Sequence, residues 1–400
     1  MDLAYGEKYE HLRKEVRTFI EAHRDRAPRG QGVMGGQASE KMLTWQQLLL
    51  DRGYAARTIP RAYGGYGGNP DVLETILIGE EFARAGVSAG VSGPGVDMLV
   101  PTLLEHGSEE QKRRFVPPTI RGEIAWCQGY SEPGAGSDLA SLTTRAVLAG
   151  DDFVVNGQKV WTTSAHVADM MFALVRTEPG EQKHAGISYL LIPMDAEGIE
   201  VRPLRSMTDE AEFNQVFLND VLVTRQNLVG RRGQGWEIAN TTLTHERLVA
   251  GNPRDLESTL QSLIEVMTAE AGSGQRAIDR EVFRDRLMAL QGRVLSLKSH
   301  AMRLLTCDLR EESAGVAGLV VKLQACEVMY QMTALALDGM AEVGVLQPGS
   351  KLATSQGSWH TESMRWLGFI IAGGSAQIQK NIIAERGLGL PREPKPRPQG

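Results

Sequence analysis

The spacing of apolar residues changes twice along this chain, and this change constrains the fold more than any other feature of the sequence. Residues 1 to about 125 carry apolar side chains at helical spacing, as at Leu12, Val16, Phe19 and Ile20. From about residue 126 to 231 the repeat shortens to two, and from about residue 233 the helical spacing returns. Helices, then strands, then helices predict an α+β chain of several domains rather than an alternating βα series.

Four short runs rich in β-branched and aromatic residues predict the strands of the middle part. They are Phe153–Val155, Met171–Val175, Ile187–Ile192 and Gln215–Leu218. Turn signals separate them, among them Gly150–Asp152, Asn156–Gly157 and Asn219–Asp220. The pattern predicts a mostly antiparallel sheet or small barrel. A Rossmann fold is disfavoured because no G-x-G-x-x-G follows a strand.

The predicted domains are a helical domain over 1–125, a central antiparallel β domain over 126–232 and a helical domain over 233–387. The last domain has strongly apolar helix faces, as at Leu287, Leu290, Val294 and Leu297. Such faces predict a four-helix-bundle-like packing, within one subunit or against another. The proline-rich residues 388–400 predict a disordered tail.

Composition excludes several classes of function. The 400 residues carry a net charge of -6, which gives no general attraction to nucleic acid. No apolar run approaches the roughly 20 residues that span a bilayer. The first ten residues lack the pattern of a signal or transit peptide. The three cysteines form no metal-ligand pattern and fit a reducing compartment, so we expect a cytoplasmic protein.

Two polar motifs in the middle part point to a cofactor. The run Tyr130–Asp138 crowds flexible positions, two hydroxyls and two carboxylates into nine residues, so it cannot fill a core. The run Asn156–Thr163 follows, and it ends in the flat indole of Trp161 and two more hydroxyls. Together these runs predict a site for a planar aromatic cofactor.

These motifs resemble those of the acyl-CoA dehydrogenase family. Its first signature is matched by Ser131–Asp138 and the next by Asn156–Thr163, while Ala376–Gln379 with Ile383–Arg386 matches the C-terminal signature. The resemblance implies a flavoprotein that binds FAD and oxidises an acyl-CoA to a 2-enoyl-CoA, as in β-oxidation of fatty acids. It also implies electron-transfer flavoprotein as the partner and a homodimer or homotetramer.

The resemblance assigns flavin contacts to individual positions of this chain. Trp161 would lie against the flavin ring, and Thr163 would donate a hydrogen bond near flavin N5. Ser131 would meet the pyrimidine side, and Ser137 the cofactor or the pantetheine of the acyl-CoA. The full set of implied cofactor contacts is Gln128, Tyr130, Ser131, Gly136, Ser137, Trp161, Thr163, Ser375 and Gln377.

The reaction needs a base for the weakly acidic Cα proton of the thioester, and a desolvated carboxylate suits it. The hydride would leave Cβ for flavin N5. At the family's usual base position this chain has Gly373, whereas Glu246 matches an alternative position that a minority of the family uses. We therefore predict Glu246 as the base, with Arg247 orienting it or binding substrate.

The glycine at 373 has two further consequences for the predicted site. It keeps the N–H that the family uses to bind the thioester oxygen. The missing side chain leaves room for a branched or bulky acyl group.

Three departures from the family pattern leave alternatives open. Arg276 is a weak substitute for an arginine that serves the neighbouring subunit's FAD, and the run Asp338–Glu342 lacks a segment of similar purpose. Asn252 and Pro253 predict a new helix, which places Glu246 near the end of the preceding one. The alternatives are a desulfinase or other elimination enzyme on the same scaffold, and a non-catalytic partner subunit of a heteromeric dehydrogenase.

Overall fold

The computed structural model describes residues 6–29, 37–178, 183–250, 253–270, 274–310, 312–313, 315–353 and 357–392. By their contacts the residues divide into two compact units, 1–245 and 246–400. None of the helices in the described ranges is long and apolar enough to cross a membrane.

Unit 1 begins with helices whose inner faces carry the predicted apolar residues. These helices are α1 (Glu7–Ala22), α2 (Glu40–Arg52), α3 (Val72–Ala85), α4 (Val100–His106) and α5 (Glu109–Arg121). Along α1, Leu12, Val16, Phe19 and Ile20 are all buried, at the spacing of one helix face. The helical prediction for this part of the chain is confirmed.

A capping box opens α5, as the sequence predicts. The hydroxyl of Ser108 accepts a hydrogen bond from the backbone N–H of Gln111 at 3.2 Å, and the Gln111 side chain accepts one from the Ser108 N–H at 3.0 Å. The side-chain nitrogen Nε2 of Gln111 also donates to the carbonyls of Gln226 and Leu228, at 2.7 and 2.9 Å. One side chain therefore begins the helix and ties it to the end of the sheet.

The centre of unit 1 is a sheet of eight strands in the described residues. They are β1 (Trp126–Gly129), β2 (Arg145–Ala149), β3 (Asp152–Lys159), β4 (Met170–Arg176), β5 (Ile187–Pro193), β6 (Ile199–Leu204), β7 (Phe213–Thr224) and β8 (Leu228–Val229). The order is β6-β7-β3-β2-β4-β5-β8, with β1 paired to β4. All pairings are antiparallel except β1 with β4 and one residue pair between β2 and β4, so the predicted mostly antiparallel sheet is confirmed.

The turns that the sequence predicts at Asn156–Gly157 and Asn219–Asp220 are wrong, because both pairs lie inside strands. The side chain of Asn156 in β3 donates to the Asp220 carboxylate in β7 at 2.9 Å and accepts from the Asp220 N–H at 3.0 Å. The β3–β7 register shifts at this point. The pairing therefore continues through a bulge, which uses the same residue types as a turn.

Strands β4 and β5 are buried on both faces of the sheet. Phe172 and Leu174 point into a core shared with the N-terminal helices, while Met171 and Ala173 point into a second core on the other side. This double burial explains why these strands read as continuous apolar runs rather than as alternating patterns.

Unit 2 is helical. Helix α6 (Gly235–Ala250) contributes Glu246 to it, and the further helices are α7 (Pro253–Thr268), α8 (Glu281–Leu309), α9 (Ala317–Met340), α10 (Ser358–Ile371) and α11 (Ala376–Ile382). Helix α7 begins at Pro253 as predicted, while Asn252 lies outside the described residues. The α8 residues Leu287, Leu290, Val294 and Leu297 are buried in one core with α7 and α9. Residues 393–400 of the predicted tail lie outside the described residues.

The double role of Gln111 makes a testable prediction about stability. Ser108→Ala removes one cap and should lower the free energy of unfolding by about 1 kcal/mol. Gln111→Ala also leaves two carbonyls unpaired and should cost about 2 kcal/mol. Thermal unfolding of the full chain measures both, with the exposed Arg113→Ala on the same helix as a control that should stay within about 0.5 kcal/mol. Equal losses for Ser108→Ala and Gln111→Ala would contradict the tie between α5 and the sheet.

Candidate active site

The structure brings the two polar motifs of the middle part together. The N–H of Val160 donates to the carbonyl of Ser131 at 2.9 Å. The ammonium group of Lys159 donates to the carbonyl of Tyr130 at 3.2 Å and to the carboxylate of Glu132 at 2.8 Å. Three contacts therefore join the beginning of the first motif to the second.

Glu132 and Lys159 form a buried ion pair in which nearly every polar atom is used. The Glu132 carboxylate also accepts from the N–H and hydroxyl of Thr143, at 2.6 and 2.8 Å, and from the N–H of Thr144 at 2.9 Å. The third proton of Lys159 goes to the carbonyl of Leu174 at 2.7 Å. Three acceptors match the three donors of an ammonium group, so Lys159 is held in its charged form.

The same contacts set the ionisation of Glu132. Burial alone would raise the pKa of its carboxyl group, but the charge of Lys159 and the bonds from Lys159, Thr144 and Thr143 outweigh it and lower the pKa to about 2. Burial lowers the pKa of Lys159, and Glu132 opposes that shift. Because the donors and acceptors are matched, both groups are charged at neutral pH.

Trp161 presents its indole to solvent on a strained backbone. It is 63% exposed, and its φ of +58° is uncommon for a residue with a side chain. Strand β7 holds this conformation, because the Thr162 N–H donates to the carbonyl of Asn214 at 3.1 Å and the Asn214 side chain donates back to the Thr162 carbonyl at 2.9 Å. The indole meets the ring of Phe213 edge-on, with centroids 5.9 Å apart. The large aromatic surface that stays exposed at this strained position fits contact with a flat cofactor such as a flavin.

The other residues implied as flavin contacts differ in what they offer. Gly136 and Ser137 are exposed, while Gln128, Ser131 and Thr163 are partly buried. Tyr130 is only 4% exposed, and its ring packs edge-on against the rings of Phe172 and Tyr189, with centroids 6.0 and 6.2 Å away. The ring belongs to the core, so only the main chain of Tyr130 is in a position to meet a cofactor.

In unit 2 the structure brings Glu246 and Gly373 together. Glu246 lies four residues before the end of α6. The sequence predicts this place near the end of a helix, because a new helix begins at Pro253. Gly373 has a φ of +62°, and a Cβ atom placed there would lie 3.1 Å from Oε1 of Glu246. The carboxylate therefore occupies the space that a side chain at position 373 would enter.

Two residues that sequence analysis missed hold the turn at Gly373. Lys322 on α9 donates to the carbonyl of Gly374 at 2.8 Å, and Gln379 on α11 donates to the carbonyl of Gly373 at 3.2 Å. Both side chains are 2% exposed. A lysine inside the apolar run of α9 was a signal in the sequence, because lysine is rarely buried without a partner.

The remaining implied residues take other positions. Ser375 caps α11, since its hydroxyl accepts from the N–H of Ile378 at 3.4 Å, and Gln377 is exposed. The side chain of Arg247 lies outside the described residues. Arg276 forms an ion pair with Asp279 at 2.7 Å within its own turn.

Comparison with known proteins identifies the family. The sequence matches the acyl-CoA dehydrogenase N-terminal domain over residues 6–123, the middle domain over 127–221 and the C-terminal domain over 233–388. The chain belongs to the acyl-CoA dehydrogenase family. This acyl-CoA dehydrogenase is therefore an oxidoreductase, as the resemblance predicts, and the family implies FAD.

Similar proteins extend over nearly the whole chain. "Acyl-CoA dehydrogenase IpdE1" of Mycobacterium tuberculosis is 37% identical over 393 residues, which is 96% of this chain and 99% of the relative. A solved structure titled "Tcur3481-Tcur3483 steroid ACAD" superposes with a TM-score of 0.81 at 27% identity, covering 98% and 100% of the two chains. The "ChsE4-ChsE5 complex from Mycobacterium tuberculosis" superposes with a TM-score of 0.79 at 29% identity, with the same coverage.

The buried pair of Glu132 and Lys159 should be strongly coupled. Lys159→Met leaves Glu132 buried without its counter-ion and should cost about 3–5 kcal/mol of unfolding free energy. Adding Glu132→Gln should recover part of that loss, because the stranded charge is gone. Lys183→Met is the matched control, since Lys183 pairs with Asp138 of the same motif at the surface and should cost at most about 1 kcal/mol. Additive losses in the double variant would contradict the coupling.

The low pKa of Glu132 also makes stability depend on pH. A carboxyl group whose pKa falls from 4.5 to about 2 on folding stabilises the native state fully above its unfolded pKa, and the contribution disappears as the pH falls toward about 2. We expect the unfolding temperature of the wild type to drop over this range more steeply than that of Glu132→Gln. Thermal scans across the acid range give the difference between the two curves. Parallel curves would show that the carboxylate makes no such contribution.

Proposed function

We propose that this chain catalyses FAD-dependent α,β-dehydrogenation of an acyl-CoA thioester to a 2-enoyl-CoA, with Glu246 as the base. The observation that carries the proposal is the position of the Glu246 carboxylate beside Gly373. The family's usual base position has no side chain here, and a carboxylate from another helix fills the adjoining space. A solvated glutamate on a helix surface would not need that space.

Two residues of unit 2, Glu246 and Gly373, have defined tasks in the proposed reaction. A carboxylate oxygen of Glu246 takes the Cα proton of the thioester. The N–H of Gly373 donates to the thioester oxygen, whose negative charge grows as the proton leaves. Glycine suits this position for two reasons. It adopts the left-handed backbone of the turn without strain, and it leaves room for the Glu246 carboxylate.

Residues of unit 1 would hold the cofactor. Bound FAD would supply the acceptor for the hydride that leaves Cβ. Trp161 offers a flat face for the ring system, while Thr163 and Ser131 offer hydroxyl groups for its polar edge. Gly136 and Ser137, both exposed, allow close approach of the cofactor or of the pantetheine chain.

We infer a branched or bulky acyl group as the substrate. The likeness to a solved structure titled as a steroid ACAD, at 27% identity, supports this inference. Position 373 adds no support, because the Glu246 carboxylate occupies the space that its missing side chain would leave. Electrons would pass to an electron-transfer flavoprotein, and the enzyme would act as a homodimer or homotetramer.

A second candidate is the role of a partner subunit in a heteromeric dehydrogenase. The ion pair of Arg276 with Asp279 in its own turn favours it, because this pair occupies the residue that stands in weakly for the family's arginine. The likeness to one chain of a two-component complex points the same way. An elimination reaction without a strong base is disfavoured by Glu246.

Replacing the proposed base tests the function. Glu246→Gln should keep FAD bound but slow reduction of the flavin by acyl-CoA by about 100- to 10,000-fold, because the amide cannot take the proton. Anaerobic mixing with straight-chain, branched and polycyclic acyl-CoAs, followed by visible absorbance, measures the rates. Glu237→Gln makes the same chemical change at an exposed position of α6 and should leave the rates unchanged.

The outcomes separate the candidates. Unchanged reduction in Glu246→Gln contradicts the assignment of the base. A purified chain that holds no FAD and gains it only with a second polypeptide supports the partner-subunit role. Reduction by straight-chain substrates alone contradicts the bulky acyl group.

A further inference from the structure

Two buried side chains fix consecutive carbonyl groups of the turn at Gly373 and Gly374. Lys322 holds the carbonyl of Gly374 at 2.8 Å, and Gln379 holds that of Gly373 at 3.2 Å. The φ angles of the two glycines are +62° and +95°, so the turn departs from helix geometry between α10 and α11. Its orientation therefore depends on side chains from outside the turn.

Burying the ammonium group of Lys322 to bind one carbonyl group has a large desolvation cost. Lys322 is 2% exposed, and taking an ammonium group out of water costs several kcal/mol unless a charge or strong hydrogen bonds compensate it. Burial lowers the pKa of Lys322, while the nearby groups of Cys326 and Glu246 oppose that shift. A neutral donor such as the amide of Gln379 holds the neighbouring carbonyl without this cost, so a buried positive charge needs a further explanation.

The position of the charge supplies that explanation. Cε of Lys322 and Oε1 of Glu246 lie 3.9 and 3.1 Å from the same point, the place where a Cβ of residue 373 would stand. The Lys322 side chain thus ends at the turn that carries the proposed N–H donor, near enough to the proposed base for the charge of Glu246 to act on it. Positive charge at this place stabilises both an ionised carboxylate and a growing negative charge on a thioester oxygen.

We propose that Lys322 is a positioning residue of the active site, which orients the Gly373 N–H through the Gly374 carbonyl and supplies the positive charge beside Glu246. This inference rests on the proposed function of Glu246 and Gly373. Gln379 shares the first task but not the second. Lys322 itself transfers no proton and touches neither substrate nor cofactor in this scheme.

Substitutions at 322 and 379 separate the two tasks. Lys322→Met, which removes charge and donors at similar length, should slow flavin reduction by acyl-CoA on the order of 100-fold, as expected for a misplaced donor. Lys322→Arg keeps the charge and should recover part of the rate. Gln379→Leu loosens the turn without changing charge and should slow the reaction less than Lys322→Met. Lys380→Met, at an exposed position of α11, is the matched control and should react at the wild-type rate.

A binding measurement gives a readout that does not depend on turnover. The enolate of a 3-ketoacyl-CoA carries negative charge on its oxygens and absorbs in the ultraviolet, so its affinity reports on the groups around the thioester oxygen. Lys322→Met should weaken this affinity by about 10-fold or more, in line with loss of a charge-assisted contact. Affinity for free CoA should not change, and the content of FAD and the unfolding temperature show whether each variant is folded.

Several outcomes would overturn the inference. Wild-type rates and enolate affinity in Lys322→Met contradict it directly. Equal defects in Lys322→Met and Lys322→Arg, with loss of FAD or of the folded state in both, assign Lys322 to folding alone. If Glu246→Gln is inactive and Lys322→Met is not, the proposed function stands and only this inference fails. If no acyl-CoA reduces the wild-type flavin, both fail.

Discussion

The ion pair of Glu132 and Lys159 is the interaction on which the arrangement of the two polar motifs in unit 1 depends. The run Tyr130–Asp138 is rich in glycine and has no core of its own, so its conformation must be imposed from elsewhere. The buried ammonium group of Lys159 in β3 connects two other segments: it binds Glu132 and the Tyr130 carbonyl in the first motif and the Leu174 carbonyl in β4. Buried ion pairs add little net stability, but they leave few alternative arrangements because each misplaced partner is a buried charge without compensation.

The same device recurs in unit 2. There Lys322 binds the carbonyl of Gly374, just as Lys159 binds carbonyls beside the first motif. In both places an irregular stretch of main chain cannot satisfy its own polar groups, and a lysine from a neighbouring strand or helix does so. The helices and strands thus provide fixed positions, and buried polar side chains hold the irregular segments against them.

The fold could be predicted from the sequence because burial repeats along each element. The capping box at Ser108 and the helix start at Pro253 are local, so neighbouring residues reveal them. The dipeptides Asn156–Gly157 and Asn219–Asp220 are wrongly predicted as turns, because Asn156 in β3 and Asp220 in β7 pair with each other across the sheet. Such long-range pairs carry no local signal.

In the candidate site, too, features local to the sequence could be predicted and long-range contacts could not. The missing side chain at Gly373 and the carboxylate at Glu246 can be recognised in the sequence once the family is known. The hydrogen bonds from Lys322 and Gln379 to the turn cannot, because they join residues of different helices to it. Tyr130 shows the converse: its place in the motif implies a cofactor contact, yet packing against Phe172 and Tyr189 puts its ring in the core.

The close approach of Glu246 to position 373 limits which residues this position can hold. A Cβ at 373 would lie 3.1 Å from Oε1 of Glu246, so a residue larger than glycine would push the carboxylate aside and would stand on a left-handed backbone that side chains rarely adopt. A glutamate at 373 would in addition place two carboxylates side by side, which raises the pKa of one of them. We therefore expect glycine at 373 in relatives whose glutamate at 246 takes this conformation, a pairing that can be recognised in a sequence alone.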